Sequence, residues 1–161
     1  MTIKVGDTIP NVNLYHIGES GGPEAISSHD VFAGKKTVLF AVPGAFTRTC
    51  SAKHLPGFVK HADDIKAKGV DEVACISVND AAVMNAWGMA HGAPGKVMML
   101  SDGIADFAKA IGIYTDMSQR GYGIRSKRYA MVIDNNKVTA LDVEPSGEYG
   151  VSSAEQVLER L

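Results

Sequence analysis

The chain has 161 residues, 45% of them hydrophobic, and a formal net charge of -2. That length suits one domain, 1–161, with a core large enough to need no metal or disulfide for folding. The near-neutral balance excludes a nucleic-acid surface as the main feature, no apolar run approaches membrane-spanning length, and the N-terminus lacks a signal core or transit-peptide character, so a cytoplasmic location is expected.

GESGGPEA (18–25) reads as a glycine-rich surface loop. KTVLFAV (36–42), a continuous apolar run ending at Pro43, reads as a central buried strand. From Cys50 to Lys68, Leu55, Phe58, Val59, Ala62 and Ile65 recur at helical spacing, with Gly69 as the stop. Pro56 predicts a kink or an irregular first turn in that helix. DEVACISV (71–78) is a second buried strand, and DAAVMNAWGMAHG (80–92) a helix with a glycine stop. KVMMLSD (96–102) is a third strand, and IADFAKAIGI (104–113) a short helix ending at Gly112. RYAMVIDNNKVTALDVE (128–144) predicts a hairpin turning at Asn135–Asn136, residues that tolerate positive φ. SSAEQVLERL (152–161) predicts a terminal helix, with Ser152 and Glu155 at capping-box spacing.

Strands alternating with helices imply an α/β fold: a mainly parallel sheet with helices on both faces. The closing hairpin and helix make the central sheet mixed, in the pattern of a thioredoxin-like fold. Sites in such sheets lie beyond the carboxyl ends of the strands, which is where Cys50 falls. A thiol near a helix N-terminus faces unpaired N–H groups and the positive end of the dipole, both of which favour the nucleophilic thiolate. The alternative is a small buried apolar residue, but the polar neighbours in TRTCS argue against it. Cys75, inside VACISV, reads as an inert buried thiol. A Cys-x-x-Cys pair would need cysteine at 47 or 53, where Thr47 and Lys53 stand, so an ordinary dithiol oxidoreductase is excluded.

VPGAFTRTCS contains the peroxiredoxin active-site pattern of proline, three residues, threonine, two residues and cysteine: Pro43, Thr47 and Cys50. KVGDTIP, HLPGF, VACISVNDAAVMNAWG and KRYAMVID make essentially the whole chain resemble the type-5, or type II, peroxiredoxins. The resemblance implies an antioxidant thiol peroxidase acting on hydrogen peroxide and alkyl hydroperoxides, with no cofactor or metal. It makes Cys50 the peroxidatic nucleophile, oxidised to a sulfenic acid. It implies that Thr47 sets its hydroxyl between thiolate and peroxide, that Pro43 shields the site, and that Arg128 supplies the essential guanidinium. The N–H groups of Thr49 and Cys50 complete the pocket, and Gly44 and His54 line it.

Each residue also has a plainer reading. Thr47 satisfies a turn, Arg128 belongs to a solvated cluster with Arg120, Arg125 and Lys127, and Cys50 with His54 forms half of a metal pair that has no third ligand. Two departures from the family stand out. Arg48 replaces a common proline, and EYGVSSAEQ holds no resolving cysteine. Regeneration then falls to glutathione with glutaredoxin, or to thioredoxin through a Cys50–Cys75 disulfide. The resemblance also suggests a homodimer. Competing readings are a redox sensor relaying oxidation to a partner protein, and an inactive binding module on the same fold.

Overall fold

In the computed structural model, which describes residues 2–161, the chain opens with a hairpin absent from the sequence reading. Strands β1 (Asn13–Ile17) and β2 (Pro23–Ser27) pair antiparallel, with Leu14 opposite Ile26. The expected loop 18–25 therefore includes the first residues of β2. Only Leu14 of these two strands is fully buried, so neither shows the apolar run that marks an interior strand. Helix α1 (Ser28–Phe32) follows, capped by Ser27, whose side chain accepts from the Asp30 N–H.

Strand β3 (Lys36–Ala41) leads to a widened π-helical turn, Cys50–His54, and then to α2 (Leu55–Lys66). The expected single helix 50–68 is thus two geometries, and helical backbone begins at Arg48. Pro56 has no N–H to offer Ala52, and the Leu55 N–H reaches back to the Cys50 carbonyl. The helix ends earlier than expected, and Gly69, at φ 94°, lies in the turn beyond it. Strand β4 (Glu72–Ser77), α3 (Ala81–Ala90), β5 (Met98–Ser101) and α4 (Asp106–Ile111) follow within the expected spans. A short ribbon of β6 (Tyr114–Asp116) and β7 (Ile124–Ser126) was not anticipated. Strands β8 (Tyr129–Asp134) and β9 (Lys137–Val143) form the expected hairpin, with Asn135 and Asn136 at φ 47° and 68°. In α5 (Ala154–Arg160) the cap is Ser153, accepting from the Gln156 N–H, and not Ser152. Ser152 is wholly buried and its hydroxyl is used elsewhere.

The seven-stranded sheet has the order β2-β1-β5-β4-β3-β8-β9. Only β3–β4 and β4–β5 are parallel pairs, so the sheet is mixed, with antiparallel strands flanking a parallel trio. Alternation along β3 divides the core. Val38, Phe40 and Val42 face α2, α3 and α5, while Leu39 and Ala41 face α1 and α4. Phe40 stacks on Phe58 of α2 at 4.0 Å between ring centroids. That contact helps hold the helix bearing the π turn over the carboxyl end of the parallel strands. The fold is the thioredoxin-like α/β arrangement expected.

Candidate active site

The elbow after β3 is built by short-range chemistry. Pro43 ends strand pairing, and the Thr47 N–H closes a turn onto the Gly44 carbonyl at 3.4 Å. Phe46, at φ 63°, occupies the turn position usually given to glycine. The space at Gly44 is tight: a Cβ there would lie 3.1 Å from Thr47 Cγ2 and 3.2 Å from Arg125 Nη1, so either side chain would have to give by a few tenths of an ångström. Asn79, beyond β4, accepts the Ala45 N–H through Oδ1 at 2.9 Å and ties the elbow to the neighbouring strand. Helical backbone starting at Arg48 places Cys50 in the first turn, where the N–H groups have no upstream carbonyl partner.

Cys50 is fully buried. The Arg128 Nη2–H donates to its Sγ at 3.1 Å, and the Nη1–H of the same fork donates to His54 Nδ1 at 2.8 Å. His54 is also wholly buried, and its Nε2–H donates to the Ser152 carbonyl at 3.0 Å. Burial, and then the Arg128 cation beside it, push the His54 imidazole down to about 3. It is therefore neutral at physiological pH, and the two contacts fix one tautomer: proton on Nε2, lone pair on Nδ1. Tyr149 covers the group, with its ring 5.2 Å from that of His54 and 6.0 Å from the Arg128 guanidinium carbon. Burial pushes the Tyr149 hydroxyl up to about 12. Arg128 pairs with no carboxylate among the described residues. Its fork is committed to an uncharged imidazole and a sulfur. A guanidinium so placed stabilises negative charge on sulfur and on an oxygen reacting beside it.

The other sequence-selected residues divide. Pro43, Thr47, Thr49 and Arg128 line one open cleft together with Arg48, while the Cys50 sulfur is closed off from solvent behind them. The Thr47 hydroxyl donates to the Gly44 carbonyl at 2.6 Å, so in this state its proton is committed and only its lone pairs face other partners. Arg125 braces the elbow rather than the sulfur: its Nη1–H donates to the Pro43 carbonyl at 3.3 Å and its Nε–H to the Tyr122 carbonyl at 2.9 Å. Cys75 lies on β4 opposite Phe40, in the same core cluster as Cys50. Burial raises its thiol well above the ordinary range. Both cysteines are free. Among the described residues, no group of three or more His, Cys, Asp or Glu is arranged to hold a metal. Sequence reasoning missed Ser152, Tyr149, Asn79 and Glu144. Ser152 meets His54 across 98 residues, Tyr149 meets Lys53 across 96 and Asn79 meets Ala45 across 34, while Glu144 bonds locally, to Gly150 and Ser152, but in an irregular loop that no sequence pattern marks.

Residues 4–158 match the Redoxin family model. The chain is 45% identical over 159 residues to Peroxiredoxin-2C of Arabidopsis thaliana, covering 99% of this chain and 98% of that protein. Among solved structures, reduced Prx3 of Vibrio vulnificus in complex with hydrogen peroxide superposes with a TM-score of 0.95 at 50% identity, covering 99% of each chain. Peroxiredoxin 5 of Alvinella pompejana superposes with a TM-score of 0.85 at 38% identity, covering 98% of this chain and 96% of that one.

Proposed function

The chain belongs to the Redoxin family and is a peroxiredoxin, a thiol-dependent peroxidase, and from that premise we propose that Cys50 is its peroxidatic nucleophile in a single-cysteine cycle of the type-5 kind. The Cys50 thiolate attacks one oxygen of hydrogen peroxide or an alkyl hydroperoxide. An S–O bond forms, the O–O bond breaks, and sulfur is oxidised by two electrons to a sulfenic acid. The leaving oxygen takes a proton and departs as water or alcohol. Arg128 stabilises charge on sulfur and on the leaving oxygen, and the Thr49 and Cys50 N–H groups add fixed dipoles. Thr47, its own proton held by Gly44, accepts the peroxide O–H. Pro43 shields the pocket mouth, and Gly44 leaves room for the close approach of Thr47 and Arg125. The observation that carries this reading is the Arg128 Nη2–H donating to Cys50 Sγ at 3.1 Å in the first turn of a helix.

For regeneration, glutathione attacks the sulfenic acid, forming a mixed disulfide and releasing water. Glutaredoxin then exchanges the glutathionyl group and restores the thiol. The burial of Cys75 within a strand supports an external resolving thiol. The cycle suits an antioxidant enzyme of the cytoplasm acting as a homodimer. A second reading has one observation in its favour: Cys50 and Cys75 share a core cluster, so opening of the π turn could bring them into a disulfide that thioredoxin reduces. Peroxide consumption separates the two. Cys50→Ser should abolish turnover, since a serine hydroxyl is not ionised at neutral pH. Cys75→Ser should keep turnover with glutathione and glutaredoxin. Loss of two hydrogens from the wild type after one equivalent of peroxide, abolished in Cys75→Ser along with turnover, would establish the second reading.

A further inference from the structure

Arg128 reaches Cys50 from a position set by His54, and His54 is itself set from outside the catalytic turn. Its Nε2–H is held by the carbonyl of Ser152, in the segment that links β9 to α5. That segment has no regular structure of its own at Ser152. It is held by Glu144, one residue beyond β9, which is only 6% exposed. Glu144 Oε2 accepts the Gly150 N–H at 2.6 Å, the Ser152 N–H at 2.8 Å and the Ser152 hydroxyl at 2.7 Å. At its other end the Glu144 N–H donates to the Arg128 carbonyl at 2.9 Å. One carboxylate therefore clasps the loop that orients His54, and its backbone is bonded to the arginine that His54 orients.

We infer that Glu144 is a positioning residue for the peroxidase reaction, acting through Ser152 and His54 to hold the Arg128 fork on the Cys50 sulfur. The alternatives to each link are costly. Ser152 and His54 are wholly buried, so water cannot easily replace a lost contact. With the Ser152 carbonyl displaced, the imidazole loses the partner that keeps its proton on Nε2. A proton on Nδ1 would point a donor at a guanidinium that can only donate. Arg128 would then leave its place, and Cys50 Sγ would lose its cationic partner. Burial pushes the Glu144 carboxyl up, and the hydrogen bonds from Gly150 and Ser152 outweigh it, leaving it below its ordinary value and ionised at neutral pH.

A carboxylate that merely staples a loop would lower thermal stability and leave Cys50 chemistry untouched. The distinguishing experiment is a double-mutant cycle of Glu144→Ala and His54→Ala, read by the rate of Cys50 alkylation against pH in the Cys75→Ser background. With His54 present, Glu144→Ala should slow alkylation at pH 7 by roughly tenfold, the loss expected when a cationic hydrogen-bond donor is misplaced. In the His54→Ala background the same substitution should leave the rate unchanged. Glu144→Gln, which keeps an acceptor oxygen, should recover most of the wild-type rate. If Glu144→Ala does not fold, Glu144→Gln takes its place in the cycle, with a smaller slowing expected only when His54 is present. An unchanged rate with His54 present, or equal slowing in both backgrounds, overturns the inference. The inference rests on Cys50 as the attacking sulfur. Since alkylation needs no peroxide, a failure of that reading would show separately, as turnover in Cys50→Ser.

Discussion

Arg128 touches both a neutral imidazole and a sulfur with one planar fork, and lysine cannot do that. Arg128→Lys keeps the charge but offers a single tetrahedral head. Peroxide reduction should fall by roughly 10²-fold, the size of effect seen when one preorganised donor is lost. Rapid-mixing measurement of the peroxide rate checks it, and a wild-type rate in the lysine variant would mean that charge alone suffices there. Pro43, Thr47, Cys50 and Arg128 were legible in the sequence, the first three by their spacing within one elbow and the last by its place before a recognisable strand. His54 was named only as a pocket-lining residue, and its place between Arg128 and Ser152 was not legible. Its bond to Ser152 spans 98 residues, and nothing local distinguishes a histidine with two committed nitrogens from one packed in a core. Glu144 was hidden for another reason: its partners Gly150 and Ser152 are near in the chain, but what they position, His54, is not.

Among the elements, the parallel trio β3, β4 and β5 was readable because strands buried on both faces are written as unbroken apolar runs. The β1–β2 hairpin was not, because β2 at the sheet edge carries Pro23 and Glu24, and β1 beside it buries only Leu14 fully and carries His16, so neither shows an apolar alternation. The terminal helix shows how far local patterns reach. Ser152 and Ser153 are both candidate caps, and the burial of Ser152 against Glu144 decides for Ser153. Ser153→Ala should therefore lower stability by about 1 kcal/mol, the usual loss of an N-cap side chain, without changing the peroxide rate. Urea unfolding beside a steady-state assay tests both halves. The π turn was foreshadowed only as an irregularity at Pro56. Its width follows from the Leu55 N–H bonding to the Cys50 carbonyl.

For the molecule as a whole, buried titratable groups tie stability to pH. His54 sits near 3 in the folded chain, depressed from about 6.5. Its neutral form is fully accommodated above 6.5, and stability is lost as pH falls from there towards 3, because the unfolded chain takes up the proton first. The slope is at most about 1.4 kcal/mol per pH unit. Asp102, pushed up to about 6 mainly by burial, acts the other way. Its folded form takes the proton first, so its contribution is present at low pH and is lost as pH rises through about 6. Comparison with His54→Gln separates the two. Glutamine can still accept from Arg128 and donate to Ser152, but it does not titrate. The fall in urea midpoint between pH 7 and pH 5 should be smaller in His54→Gln than in the wild type, and an equal fall would mean that His54 is not the acid-sensitive group.

Trp87, fully buried on α3, is the single tryptophan of the chain. Its indole Nε1–H donates to Ser51 Oγ at 2.9 Å, one residue from Cys50. The molecule thus carries its own optical probe, wired to the turn that bears the reactive sulfur. A rearrangement of that turn on oxidation that moves Ser51 should change the indole's hydrogen bond, and the ultraviolet emission of this one tryptophan, followed after a pulse of peroxide, is the measurement that checks it.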